Sequence, residues 1–396
     1  MKDGTGTRLR LVPKRWVQNG FTLAHDENGG PVFVHGALPG ETVEVTLTRV
    51  RSNHSFACVS QVLEPAPDRV ESDCAAFPAC GGCSFRQVSY REELNIKQRL
   101  LFELPGMQSA FEEAGHDIRW HTAQPTGYRS QAQLQCDGNS RGFFALHSNA
   151  IVDWPPEGCR NLAPELSEAM RAFQPPGPGR YAFRVAGGTV YGPESLRTNA
   201  LVESRLLDDP AFSWSFPARS FMQSNRFLVG EWLRAWRELE PPAHEGPLVE
   251  LFAGTGVVGG FLMKDGLSYE GYDSDPAALA AGRHCFSIRG FSGQFRRRDL
   301  YRQGLPTGFS DAQSLVLANP PRAGLGQRLT RDLLESRASA LLYSSCNPQT
   351  LARDLISLRG RGALSVRAIR IFDFFPRTPH LEVLVRLDRK QAGPAH

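Results

Sequence analysis

Residues 247–256 read Pro247-Leu248-Val249-Glu250-Leu251-Phe252-Ala253-Gly254-Thr255-Gly256. A short apolar run ends in an acid, and a tight glycine turn then opens a helical stretch. That is the pattern of a buried strand followed by a turn whose backbone can approach a ligand closely. Moving outward, Tyr269 to Tyr272 runs into Asp273, Leu315 to Ala318 runs into Asn319, and Ala340 to Tyr343 runs through two serines into Cys346. Apolar strands alternating with helical segments predict a parallel, doubly wound α/β sheet from about residue 220. Each strand delivers a polar or reactive residue at its carboxyl end, where open α/β sheets bind ligands, so one composite site is expected there. Asp273, placed to accept hydrogen bonds from ribose hydroxyls, favours a nucleotide-like cofactor without saying which.

Tyr343-Ser344-Ser345-Cys346-Asn347-Pro348 ends one of these strands and starts a helix, with Asn347 suited to cap it and Pro348 suited to its first turn. A thiol beside a helix N-terminus is stabilised as the thiolate, which makes Cys346 the candidate nucleophile. Further on, Phe372 to Leu381 leads into Glu382 and the alternating strand Val383-Leu384-Val385-Arg386-Leu387. Glu382 stands among apolar neighbours, where loss of solvent raises a carboxylate's pKa and makes it a competent general base. The nearby phenylalanines offer either core packing or stacking surface for a base.

Upstream, residues 8 to 64 carry short alternating stretches punctuated by Asn28-Gly29-Gly30 and Leu38-Pro39-Gly40, which predicts a small β-barrel of the OB type. Arg49 and Arg51 beside Asn53, His54 and Phe56 suit single-stranded nucleic acid. Glu64-Pro65-Ala66-Pro67 marks a boundary, and Cys74, Cys80 and Cys83 follow within one short loop. With Cys159 as a fourth ligand they could hold zinc or an iron–sulfur cluster, which spacing alone does not separate. Tyr90 to Leu104 has helical periodicity. The division expected is a barrel over 1–64, a central domain over 65–205 and a catalytic domain over 206–396.

A net charge of +4 permits an RNA partner without requiring one. No apolar run approaches the roughly 20 residues of a membrane span, which argues against a membrane partner. The basic amino-terminal stretch lacks the apolar segment of a secretory signal, so a cytoplasmic place, with reduced thiols, is expected. A monomer is expected.

Taken together these motifs resemble the RNA 5-methyluridine methyltransferase family, especially its iron–sulfur members with an amino-terminal TRAM domain. Phe33-Val34 followed by Ala37-Leu38-Pro39-Gly40-Glu41 is similar to the TRAM barrel, Cys74 to Cys83 followed by Gln87 and Tyr90 to the cluster loop, and Phe221-Met222-Gln223-Ser224-Asn225 to the family's F-x-Q-x-N segment. Asn319-Pro320-Pro321-Arg322 resembles a strand-end signature of methyltransferases. The resemblance implies a class I, Rossmann-like methyltransferase domain binding S-adenosyl-L-methionine (SAM), behind a TRAM barrel and a central α+β iron–sulfur domain. It assigns cofactor contacts to Gln223, Phe252, Val257, Asp273, Asp299 and Asn319, the nucleophile to Cys346, the base to Glu382, and a [4Fe–4S] cluster to Cys74, Cys80, Cys83 and Cys159.

Methylation of carbon 5 of a uridine in RNA follows, with ribosomal RNA favoured over transfer RNA. Three departures stand out: Asn319 where aspartate is usual, Val257 where asparagine is common, and Ser84-Phe85-Arg86 where glutamine is often found. An amide at Asn319 removes a negative charge near a cationic methyl donor. Two alternatives therefore stay open: a catalytically silent RNA-binding protein retaining the fold, and a C5 methyltransferase acting on transfer RNA or another pyrimidine.

Overall fold

Three runs whose side chains are all buried, Leu248–Leu251, Leu315–Ala318 and Ala340–Ser345, form the centre of an eight-stranded sheet. Burial on both faces explains why they read as continuous apolar runs and not as alternating ones. Across the sheet the order is Gly293–Arg297, Tyr269–Asp273, Leu248–Leu251, Leu315–Ala318, Ala340–Ser345, Glu382–Arg389, Leu364–Phe372 and Ile118–His121. The first five are parallel. Glu382–Arg389 runs antiparallel to both neighbours, as a hairpin partner must. Its start therefore lies at the edge where the parallel strands end. The expectation of a parallel sheet holds for five strands and gives way to this hairpin beyond them.

The computed structural model describes residues 4–197, 201–207, 212–242, 246–306, 309, 314–360 and 363–390. The chain divides into two units, one of residues 1–100, 124–185 and 375–380 and the other of residues 101–123, 186–374 and 381–396. Residues 101–123, placed by sequence in a central domain, thus supply a helix, Pro105–Ala114, and the edge strand of the eight-stranded sheet. Contiguous boundaries drawn along a sequence do not register such an excursion. The helix Pro276–Ile288 of the second unit starts at a side-chain cap: Asp275 accepts the N–H groups of Ala277 at 2.9 Å and Ala278 at 3.3 Å, with Pro276 in the first turn.

Gly256 explains one part of the turn. Its φ is +69°, and a Cβ there would lie 2.8 Å from the Phe295 ring and 2.9 Å from the Tyr269 hydroxyl. Gly256→Ala is expected to destabilise the chain by roughly 2–4 kcal/mol, combining left-handed strain with overpacking. Urea unfolding checks it, and an unchanged midpoint would refute this role.

In the first unit, six strands between Arg8 and Glu64 form one sheet over a core of Ala24, Val32, Val34, Val43, Val45 and Ala57. The pairing of Thr42–Val50 with Ser55–Glu64 carries three register shifts, which bend and twist the sheet. A second sheet follows, built on Gln131–Cys136, Arg141–Phe144, Ile151–Asp153 and Gly179–Ala186. The helix expected from Tyr90 spans Tyr90–Phe102. Among the described residues no helix is long and apolar enough to cross a membrane.

Candidate active site

Cys346 follows the last residue of its strand, and the register pairs Ser345 with Val383. One further step along both strands sets Cys346 opposite Glu382. Asn347 caps the next helix, accepting the Gln349 N–H at 3.2 Å, with Pro348 in the first turn. Glu382 is buried, and burial pushes its carboxyl up to about 7 against the opposing hydrogen bond from Ser344. Ser344 donates to Glu382 Oε1 and accepts from Trp232 Nε1 at 3.0 Å. This relay was missed from sequence, although Ser344 stands two places before Cys346 and so points to the same face of the strand.

The thiol behaves differently from the expectation. Burial, and then the charge of Glu382, push Cys346 up to about 11; Arg322 opposes this through its charge and a hydrogen bond. The helix N-terminus is outweighed in the free chain. Arg322 is held in place by its own backbone: its carbonyl accepts Asn347 Nδ2 at 3.0 Å and Thr350 Oγ1 at 3.1 Å.

A continuous rim links this pair to the cofactor side. Tyr301, in the short helix Leu300–Gln303, donates its hydroxyl to the Gly324 carbonyl at 2.8 Å and packs on Phe252 with ring centroids 5.2 Å apart. Asp299 caps that helix, accepting the Arg302 N–H at 3.2 Å. Asp273 accepts the Gly254 N–H at 2.8 Å through one oxygen and the Asp275 N–H at 2.8 Å through the other. It therefore fixes the glycine turn, and each carboxylate oxygen keeps a second lone pair that can accept another hydrogen bond. Phe252 has a φ of +58°, and a Cβ at Gly254 would meet nothing within 4 Å, so the turn borders open space.

Val257 opens the helix Val257–Leu262, and Asn319 directly follows its strand, both part-exposed. Gln223 is also part-exposed, on a segment fixed by buried Asn225, which donates to the Phe374 carbonyl at 3.0 Å. Glu250, by contrast, serves the fold: buried, it accepts from Gly259 N at 3.0 Å and Tyr269 Oη at 2.7 Å. Phe372 and Phe374 are buried core residues, which removes them as stacking surfaces.

In the first unit, Cys74, Cys80, Cys83 and Cys159 line one cavity of about 230 Å³. Among the described residues no three His, Cys, Asp or Glu side chains converge on a single metal ion.

Comparison with known proteins adds the family. Residues 308–390 match the tRNA (Uracil-5-)-methyltransferase model and residues 11–59 the TRAM domain model. An RNA methyltransferase of Leptospira interrogans, itself uncharacterized, is 33% identical over 97% of this chain and 95% of its own length. The 23S rRNA (uracil(1939)-C(5))-methyltransferase RlmD of Halomonas elongata is 27% identical over 98% of this chain and 92% of its own. The crystal structure of the Pyrococcus abyssi tRNA (uracil-54, C5)-methyltransferase, in complex with S-adenosyl-L-homocysteine, has the same fold: TM-score 0.69, 22% identity, covering 96% of this chain and 99% of that one. With its sheet edge, its TRAM segment and these relatives, the chain belongs to the RNA (uracil-5-)-methyltransferase family.

Proposed function

We propose that the chain methylates carbon 5 of a uridine in RNA, with Cys346 as nucleophile and Glu382 as base. The observation that carries this reading is the pairing of a thiol and a buried carboxyl at one sheet edge, opposite each other by strand register. Carbon 5 of uracil is a poor nucleophile. Addition of the Cys346 sulfur to carbon 6 creates an enolate, which takes the electrophilic methyl that SAM supplies. Glu382 then removes the hydrogen of carbon 5, and the electron pair released restores the ring and expels the sulfur.

The cofactor side fits SAM. Open space at Gly254, the acids Asp273 and Asp299, the Phe252 ring and the part-exposed Gln223, Val257 and Asn319 supply a cradle, ribose acceptors and an apolar wall. The first unit fits a [4Fe–4S] cluster held by Cys74, Cys80, Cys83 and Cys159: four thiols around one cavity, without the convergence a single ion demands. Such a group supplies structural cross-linking or one-electron chemistry, and no step of methyl transfer needs it.

Ribosomal RNA is the substrate we favour, on the likeness to the Halomonas elongata protein. The TRAM segment suits single-stranded RNA: Phe33 stacks on Phe56 at 5.3 Å, with His54 at 5.2 Å and His147 at 4.6 Å from Phe56, beside exposed Arg49 and Arg51. Neither phenylalanine belongs to the barrel's core cluster. Phe56→Ala is expected to weaken RNA binding about 5- to 150-fold, the worth of one stacked base, while SAM affinity holds. Equal RNA affinity by fluorescence anisotropy would remove Phe56 from the interface.

Incubation with isotopically labelled SAM and total RNA, followed by nucleoside mass spectrometry and mapping of the label, tests the whole reading. 5-Methyluridine in ribosomal RNA is expected. Label in transfer RNA would overturn the substrate, label on cytosine would overturn the base, and RNA retention without label would favour the silent binder.

A further inference from the structure

Arg86 is buried and unusually well tied. Its Nε donates to Cys83 Sγ at 3.2 Å, one Nη donates to Asp73 in an ion pair, and the other donates to Asn161 Oδ1 at 2.6 Å. Asn161, also buried, donates its own Nδ2 to the same Cys83 sulfur at 3.3 Å. The pair thus joins three segments: Asp73 precedes Cys74, Arg86 lies three residues after Cys83, and Asn161 two after Cys159. Arg160 closes the set, its Nε donating to the Asp73 carbonyl at 2.7 Å.

Two donors, one of them cationic, converge on a sulfur that accepts hydrogen bonds weakly as a neutral thiol and strongly as a thiolate. Burying a guanidinium is costly unless charge and hydrogen bonds offset it, and Asp73 alone leaves the Nε aimed at the sulfur. We propose that Arg86 and Asn161 stabilise an anionic Cys83 sulfur in the metal-loaded centre and set the reduction potential of that centre. This rests on the four-cysteine cluster reading above. N–H···S bonds and a nearby positive charge favour the more electron-rich state of an iron–sulfur centre, so they raise its potential.

The test uses full-length protein purified without oxygen, as wild type, Asn161→Leu and Arg86→Gln, with iron and sulfide content, visible absorption and midpoint potential by film voltammetry. Both variants are expected to keep the cluster and shift the potential to more negative values, further for Arg86→Gln because charge is lost. A full cluster with an unchanged potential in both overturns the proposal. If Arg86→Gln fails to load, Asn161→Leu decides, since it leaves the Arg86–Asp73 ion pair in place. Loss of the cluster from both would assign the pair to folding and overturn the proposal too. A wild type without iron and sulfide defeats the cluster reading and this inference with it.

Discussion

Cys346→Ala is expected to lower methyl transfer by roughly 10⁴-fold or more, with RNA and SAM affinity close to wild type. The nucleophile has no substitute, because without an adduct at carbon 6 the uracil ring does not become electron-rich enough at carbon 5 to take a methyl group. A single-turnover assay with labelled SAM measures the loss, and activity within tenfold of wild type would overturn the mechanism. The wild-type pH profile should carry the same signature. With the thiol pushed up to about 11, mainly by burial and then by Glu382, only roughly one molecule in 10⁴ is ionised at pH 7 in the free chain. The rate constant for adduct formation should therefore climb with pH above neutrality, and Cys346→Ala should show no such limb. Arg322 faces the thiol with a charge that works the other way, which gives the Pro-Pro-Arg turn a chemical reason beyond its shape.

What could be read in advance was what periodicity encodes. The buried strands Leu248–Leu251, Leu315–Ala318 and Ala340–Ser345 are written as apolar runs, and their ends therefore pointed to one edge. Caps were legible as well, because Asn347-Pro348 acts through local backbone geometry alone. Illegible were the effects of neighbours distant in sequence. Ile118–His121 joins the sheet only by pairing with Leu364–Phe372, and the alternation of Ile-Arg-Trp-His is too short to announce a partner so distant in sequence. Ser344 offered only its place two residues before Cys346, because what a serine in a fully buried strand does is set by its partners, Trp232 and Glu382, once they are folded around it. The thiol's direction of shift was misjudged for the same reason: the helix end is local, whereas the burial that outweighs it is set by the folded surroundings and the carboxylate stands 36 residues further on.

Glu382→Gln separates the two halves of the reaction. The amide keeps an oxygen for the Ser344 hydrogen bond but cannot take a proton, so addition and methyl transfer proceed while elimination stalls. A methylated RNA joined covalently to the protein is expected to accumulate toward one per chain, visible as a shifted band on a denaturing gel, with turnover reduced roughly 10²- to 10⁴-fold. Rapid turnover without adduct would remove Glu382 from the step. The same variant carries a stability signature. The folded chain holds the Glu382 proton more tightly than the unfolded chain does, with its pKa raised from 4.5 to about 7, chiefly by burial. Its contribution is thus fully present below about pH 4.5 and lost as pH rises through about 7, a change of about 3 kcal/mol across that window. Glutamine does not titrate, so Glu382→Gln should gain stability over wild type between those values and hold the gain above them. Glu250, raised to about 8 mainly by burial, titrates alike in both proteins and cancels in the difference. Parallel stability curves from pH 4.5 to 8 would mean that the carboxyl reaches solvent in the folded chain, and the case for it as a tuned base would fall.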